Sequence, residues 1–264
     1  MFEKINYIKK YINKERQDNL YSRHFYRRLS PYITFLFLEL GITANATTWL
    51  SVISALIGCF LLSFSNFTTT MFGFLFIQFW YLLDHVDGEV ARMTKTESIE
   101  GIYLDVMTHN LVHPIIYFSF GMDVINSLPQ LYTLPLIKLT ITPRRILLFL
   151  SFIAGLSALI IELSSALRYQ VMIAKAKKEP ITGGKMKVSL HFRNIQPLGK
   201  GGSYMKFKQI IWNIFFIPGA VWFLTLGSIF HINYILIPIY AFILAGLAIL
   251  SIIIRLQTKI DTIY

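Results

Sequence analysis

The stretch Asp84-His85-Val86-Asp87-Gly88-Glu89-Val90-Ala91-Arg92, followed eight residues later by Gly101-Ile102-Tyr103-Leu104-Asp105-Val106-Met107-Thr108-His109, sits between two runs apolar enough to enter a bilayer. Ionisable groups at membrane depth are costly and mark functional sites. On a helix, Asp84 and Asp87 fall at i and i+3, so both carboxylates project from one face, and Asp105 and His109 fall at i and i+4 on the next helix. Two helices meeting there bring three or four oxygen or nitrogen ligands to one point. A hard divalent cation such as Mg²⁺ requires a donor set of that kind. The stretch therefore reads as the metal site of a membrane enzyme.

Outward from it, apolar residues fall in blocks of about 20, the length that crosses about 30 Å of hydrocarbon. The 264 residues are 55% hydrophobic, with a mean hydropathy of +0.55, which sets the chain apart from soluble domains. Six spans are expected: Thr47–Phe67, Thr70–Leu83, Gly101–Val124, Ile146–Leu167, Ile210–Phe230 and Tyr234–Ile254. The second is short unless its helix continues through Asp84–Arg92 in a protein-lined cavity. Tyr32–Leu40 is too short to span and is expected at the interface. The fold class is thus an all-α integral membrane protein, with six transmembrane helices preceded by an N-terminal amphipathic interfacial helix. Residues 1–43 form the interfacial segment and residues 44–264 a single membrane domain.

No secretory signal is apparent, since the first 30 residues are charged throughout. Ile5, Ile8 and Ile12, with Tyr7 and Tyr11, approach helical spacing among Lys4, Lys9, Lys10 and Lys14. That pattern suits a basic amphipathic helix on anionic membrane lipids, and an ordinary solvated basic terminus is the alternative. The net charge of +11 invites a nucleic-acid reading, but the basic residues are placed otherwise. They precede the first span, flank Arg92 and Lys95, lie between Arg168 and Lys208, and follow Ile254. With six spans these segments share one side, and the positive-inside rule makes that side the cytoplasm. Both termini and the acidic stretch are then cytoplasmic, with Lys138, Arg144 and Arg145 a mild exception outside. Cys59, the single cysteine, reads as packing.

One long polar interruption, Lys175–Lys208, carries the Gly183–Lys185 and Gly199–Gly202 clusters, which read first as hinges because neither has full P-loop spacing. Pro129, Pro135 and Pro143 break helices in the outer loop Ile125–Thr142, whereas Pro114, Pro218 and Pro238 are expected to kink spans.

The spacing Asp-x2-Asp-Gly-x2-Ala-Arg-x8-Gly-x3-Asp resembles the signature of the CDP-alcohol phosphotransferase family, also called CDP-alcohol phosphatidyltransferases. Asp84, Asp87, Gly88, Ala91, Arg92, Gly101 and Asp105 match, and His109 stands where the family pattern ends in aspartate. At residue frequencies of about 5–8%, seven fixed matches arise by chance on the order of 10⁻⁹ per starting point. Asn45-Ala46-Thr47-Thr48 is similar to the family's Asn-x-x-Thr. The resemblance implies displacement of CMP from a CDP-linked alcohol donor by a lipid or polar alcohol acceptor. It implies Asp84, Asp87, Asp105 and His109 as metal ligands for Mg²⁺ or Mn²⁺. Asn45, Thr48, Asp84, Gly88, Ala91 and Arg92 would then line the nucleotide site. A homodimer is usual for the family. The family's last aspartate is its proposed base, so the catalytic role falls to His109. Histidine is a competent base but a poorer Mg²⁺ ligand than carboxylate.

The other polar residues carry less. His113 shares a face with Asp105 and His109 and reads as bonded to a neighbouring helix. His85 reads as structural, and Glu89, Glu97 and Glu100 as groups at the cytoplasmic mouth. The aromatic run Phe74–Trp80 reads as lipid-facing or packing. Glu162 is an isolated intramembrane acid, and Arg168 either reaches an acceptor phosphate or snorkels. Two alternatives remain beside the transferase: a family member that binds cytidine nucleotide without transfer, and a transporter using the same intramembrane acids.

Overall fold

In the computed structural model, residues 2–12, 22–127, 143–178 and 214–257 are described, and these are helical with short connections and no strand. Helix α1 spans Phe2–Ile12, a single π-helical turn covers Ser22–Tyr26, and α2 spans Arg27–Glu39. Next come α3 (Ala44–Leu62), α4 (Phe67–Thr94), α5 (Ile99–Ser127) and α6 (Pro143–Lys178). Two more helices, α7 (Gly219–Ile229) and α8 (Asn233–Gln257), follow among the described residues. Among the described residues, three segments are long and apolar enough to cross a membrane: Ala44–Leu62, Arg144–Ser164 and Asn233–Ile253. Helices α4 and α5 have 28 and 29 residues, enough at 1.5 Å per residue for about 42 Å. Their acidic and basic residues lower the hydropathy.

Glycine sets the closest helix crossing. A Cβ on Gly73 would lie 2.8 Å from the Gly58 carbonyl oxygen, and one on Gly58 would lie 2.9 Å from the Gly73 oxygen. Only at glycine can α3 and α4 touch backbone to backbone, the small-residue packing typical of membrane helices. Ser54 reinforces the antiparallel pair by donating to the Phe76 carbonyl at 2.7 Å. At the other end of this pair, α4 runs unbroken through Asp84–Arg92. Lys95 then takes a left-handed conformation, and the Thr96 N–H returns to the Ala91 carbonyl at 2.9 Å, closing the helix. Four residues later α5 departs antiparallel, with Ser98 accepting from the Gly101 N–H at 3.0 Å as its cap. This tight turn sets Asp84 and Asp87 beside Asp105 and His109.

Two expectations change. Part of the stripe on α1 faces protein, because Ile5 and Ile8 are buried where α1 packs on α2, while Tyr7 is exposed. Lys9 anchors the contact, donating to the Tyr32 hydroxyl at 3.0 Å with its ammonium 4.5 Å from that ring's centre. Within the described part of the expected span Ile210–Phe230, the helix is interrupted around Pro218 and resumes as α7. Eleven residues extend only about 16 Å, roughly half the hydrocarbon thickness. In contrast, α5 runs through Pro114 and α8 through Pro238. At the end remote from the acidic stretch, buried Asp123 accepts from Ser228 Oγ at 2.6 Å, and Asn233 donates to the same Ser228 at 2.7 Å. These bonds tie α5 to the α7–α8 turn. Most of Lys175–Lys208, with both glycine clusters, and the outer loop beyond Ser127 lie outside the described residues, as does the side chain of Arg168.

Candidate metal centre

Asp84, Asp105 and His109 come together. One ligand atom from each lies within 4.8 Å of the other two. His109 Nε2 stands 2.6 Å from Asp84 Oδ1 and 3.5 Å from Asp105 Oδ1. The Asp84 side chain is 7% exposed, that of His109 23% and that of Asp105 52%. The group is therefore graded, from a sunken carboxylate on α4 to an open one on α5, and a ligand can approach from the Asp105 side.

Asp87 is not one of the three. It is buried, and its Oδ2 accepts from Thr48 Oγ1 at 2.8 Å. It nevertheless stands within electrostatic range of both Asp84 and Asp105. Three carboxylates crowded at the same helix ends repel one another, and a bound cation relieves that repulsion. The donor set fits such an ion. Two carboxylates with an imidazole suit Mn²⁺ or another transition metal better than Mg²⁺, which prefers oxygen alone.

The remaining candidates flank this group. Asn45, near the start of α3, is exposed, and its Oδ1 would lie 3.9 Å from a Cβ on Gly101. Arg92 folds back along α4: a Cβ on Gly88 would stand 3.1 Å from Arg92 Nη1. Glycine at 88 therefore leaves the guanidinium room to lie over the helix. Ala91 and Arg92 are both half-buried beside it.

Glu89 belongs elsewhere. Instead of lining the mouth it is buried against α2, accepting from Ser30 Oγ at 2.7 Å and Thr34 Oγ1 at 2.6 Å. His85 flanks the centre, with Nδ1 2.9 Å from the Tyr81 carbonyl oxygen and 3.8 Å from Asp84 Oδ2, and Nε2 3.3 Å from Ser22 Oγ. Tyr26 continues this inner polar seam by donating to Gln78.

Sequence reasoning missed two partners. Trp80 is fully buried, with its ring edge-on to both His109 and His113 at centroid distances of 5.8 and 5.7 Å. Its place in an aromatic run concealed it, although Trp80 and Asp84 are one turn apart. His113 Nδ1 lies 3.4 Å from Glu162 Oε1 on α6. The isolated acid of the fourth span thus pairs with the isolated histidine of the third, a link that only tertiary packing reveals.

A family model described as CDP-alcohol phosphatidyltransferase matches residues 41–192, over half of the chain. Among solved structures, the chain is similar to phosphatidylinositol phosphate synthase of Mycobacterium tuberculosis in its apo form. That match has 16% sequence identity and a TM-score of 0.47, and it covers 84% of this chain and 94% of the other. No curated protein matches the chain.

Proposed function

This chain belongs to the CDP-alcohol phosphatidyltransferase family, and from that membership we propose a membrane transferase that moves a phospho-alcohol group from a CDP-linked donor to an acceptor hydroxyl. The observation that carries the reading is the convergence of Asp84, Asp105 and His109 from two helices joined by a four-residue turn. In the reaction, the acceptor oxygen forms a bond to the donor's distal phosphorus. The bond from that phosphorus to the bridging oxygen breaks, and CMP departs with the oxygen.

Asp84, Asp105 and His109 would hold a divalent ion, with Asp87 buttressing them from Thr48 or joining them once an ion binds. Such an ion neutralises charge on the diphosphate and on the departing CMP. Arg92, lying over Gly88, supplies positive charge near the diphosphate, and Asn45 beside Gly101 faces the nucleotide. Where the aspartates alone hold the ion, His109 is free to accept the acceptor's proton. Asp105, the open member of the group, marks the side from which substrates enter.

The membrane arrangement follows the charge. Helices α3, α4, α5, α6 and α8, together with the α7 segment, are the six crossings, with the acidic ends of α4 and α5 on the cytoplasmic side. Residues 44–264 form the catalytic membrane domain. Residues 1–43 dock on it through α2, and their basic face meets anionic lipid.

One observation favours a second reading. His109 Nε2 engages Asp84 at 2.6 Å, and a histidine held this way can leave the family's base position silent, yielding a protein that binds cytidine nucleotide without transfer. The deciding experiment incubates the purified protein in lipid nanodiscs with a panel of CDP-alcohols and acceptors, in Mg²⁺ or Mn²⁺, and follows CMP. Metal-dependent release that disappears in Asp105→Ala supports the transferase. Tight cytidine-nucleotide binding without release supports the second reading.

A further inference from the structure

Helix α5 presents Asp105, His109 and His113 at successive i+4 steps, so the three share one face. The lower end of this ladder leans on α6. A Cβ on Gly155 would lie 2.9 Å from the Pro114 carbonyl oxygen, so α5 and α6 meet backbone to backbone one residue beyond His113. Glu162 lies seven residues after Gly155, two turns along, and therefore on the same side of α6. The crossing consequently delivers a carboxylate to His113: Nδ1 and Oε1 are 3.4 Å apart. The other ring nitrogen of buried His113 has no hydrogen-bond partner among the described residues, so the Glu162 contact is the polar restraint on this ring. The rings of His113 and His109 are 5.2 Å apart, and Trp80 closes the third side of both.

An aspartate at position 109 would need no such wall. Its short side chain has few rotamers, whereas an imidazole must also be fixed in ring orientation to present one nitrogen to a metal or a hydroxyl. Trp80 packs on His109, where this chain departs from the family signature, and Glu162 reaches that position through His113.

We propose that Glu162 is a positioning residue for the transfer reaction: through His113, and against Trp80, it holds the His109 imidazole in register with Asp84 and Asp105. The role rests on the transferase reading, but ring positioning itself does not depend on turnover. Glu162 is one-third exposed, and its Oε1 serves His113.

The test uses full-length protein in nanodiscs as wild type, Glu162→Ala, Glu162→Gln, His113→Ala and the Glu162→Ala/His113→Ala double variant. Removing an outer partner of a ligating histidine costs about 10–100-fold. Glu162 acts one side chain further out, through His113, so Glu162→Ala is expected to lower kcat for CMP release by about tenfold, the low end of that range, with KM for the donor within about twofold. Glu162→Gln, which keeps an acceptor oxygen, recovers most of the loss. The double variant is no worse than His113→Ala alone, because both changes break the same chain of contacts. If Glu162→Ala does not fold, Glu162→Met, which keeps the volume and loses the acceptor, replaces it.

A readout independent of activity accompanies the kinetics. With isotope-labelled histidine, the His109 ring resonances are assigned by their loss in His109→Asn. They shift in Glu162→Ala and return in Glu162→Gln. Unmoved resonances, additive losses in the double variant, or a rise in KM with kcat intact would each overturn the proposal. Absence of CMP release from wild-type protein would overturn the transferase reading alone, and the resonances would still decide the role of Glu162.

Discussion

Thr48 on α3 donates its hydroxyl hydrogen to Asp87 Oδ2 on α4 at 2.8 Å, fastening a buried aspartate of the motif to the helix before it. The same hydroxyl also reaches the Ala44 carbonyl oxygen at 3.1 Å, which favours one rotamer of a residue otherwise split between two in helices. Asp87 is thereby aimed by α3, and the accuracy of the centre depends on how closely α3 and α4 pack.

Thr48→Val keeps the shape and removes the donor, leaving one oxygen of a buried carboxylate unpaired. The expected cost is about 1–3 kcal/mol in stability, read as an earlier unfolding transition in detergent. CMP release should fall at least about tenfold as Asp87 loses its orientation. Thr48→Ser should restore most of both. Equal stability and turnover in Thr48→Val would show that this bond does not organise the centre.

Metal preference gives a second outcome. Chelation should stop CMP release, and Mn²⁺ should restore it at a lower concentration than Mg²⁺, because an imidazole sits among the donors. Replacing that imidazole with carboxylate in His109→Asp makes the set all-oxygen and should move the preference toward Mg²⁺. Metal titrations of both proteins, scored by CMP, test the point. An unchanged order of the two metals would place His109 outside the donor set.

A third prediction concerns the glycine crossing. Gly73→Val would place a branched side chain where even a Cβ meets the Gly58 oxygen at 2.8 Å and Leu62 Cγ at 2.9 Å. Backbone cannot yield as a flexible side chain can, so α3 must move away. Overpacking of this kind costs about 1–3 kcal/mol. Turnover should fall alongside stability, since separating α3 from α4 also draws Thr48 away from Asp87. Gly246→Ala is the matched control, because a Cβ there meets nothing within 4 Å.

The acidic stretch is legible in sequence because helical spacing alone places Asp105 and His109 on one face, and the turn between α4 and α5 is short enough to pair them with Asp84. The sequence leaves open whether α4 continues through Asp84–Arg92, and the structure shows that it does. What escapes is whatever depends on which helix neighbours which. Glu89 reads as an exposed charge until Ser30 and Thr34 arrive from α2, 55 to 59 positions away. His113 reads as bonded to a neighbouring helix, but Glu162 is not identifiable as its partner until Gly155 brings α6 onto Pro114. The stripe of Ile5 and Ile8 has the period of a membrane-surface helix, and that period is identical when protein covers it. Periodicity reports that a face is apolar, not what lies against it.

Glu89 provides the last prediction. Its two oxygens accept from Ser30 at 2.7 Å and Thr34 at 2.6 Å, and Arg27 and Arg92 stand within electrostatic range. Hydrogen bonds to a charged group are worth about 1.5–3 kcal/mol each, so Ser30→Ala/Thr34→Val should destabilise the protein by several kcal/mol while leaving a carboxylate buried. Adding Glu89→Leu removes that stranded charge, and the triple variant should be more stable than the double, since an apolar replacement of matched polar partners is close to neutral. Detachment of α2 is the physical event, and limited proteolysis of the first 43 residues reports it: cleavage should accelerate in the double variant and slow again in the triple. Equal cleavage in all three proteins would mean that α2 is held by its apolar contacts and that Glu89 serves another purpose.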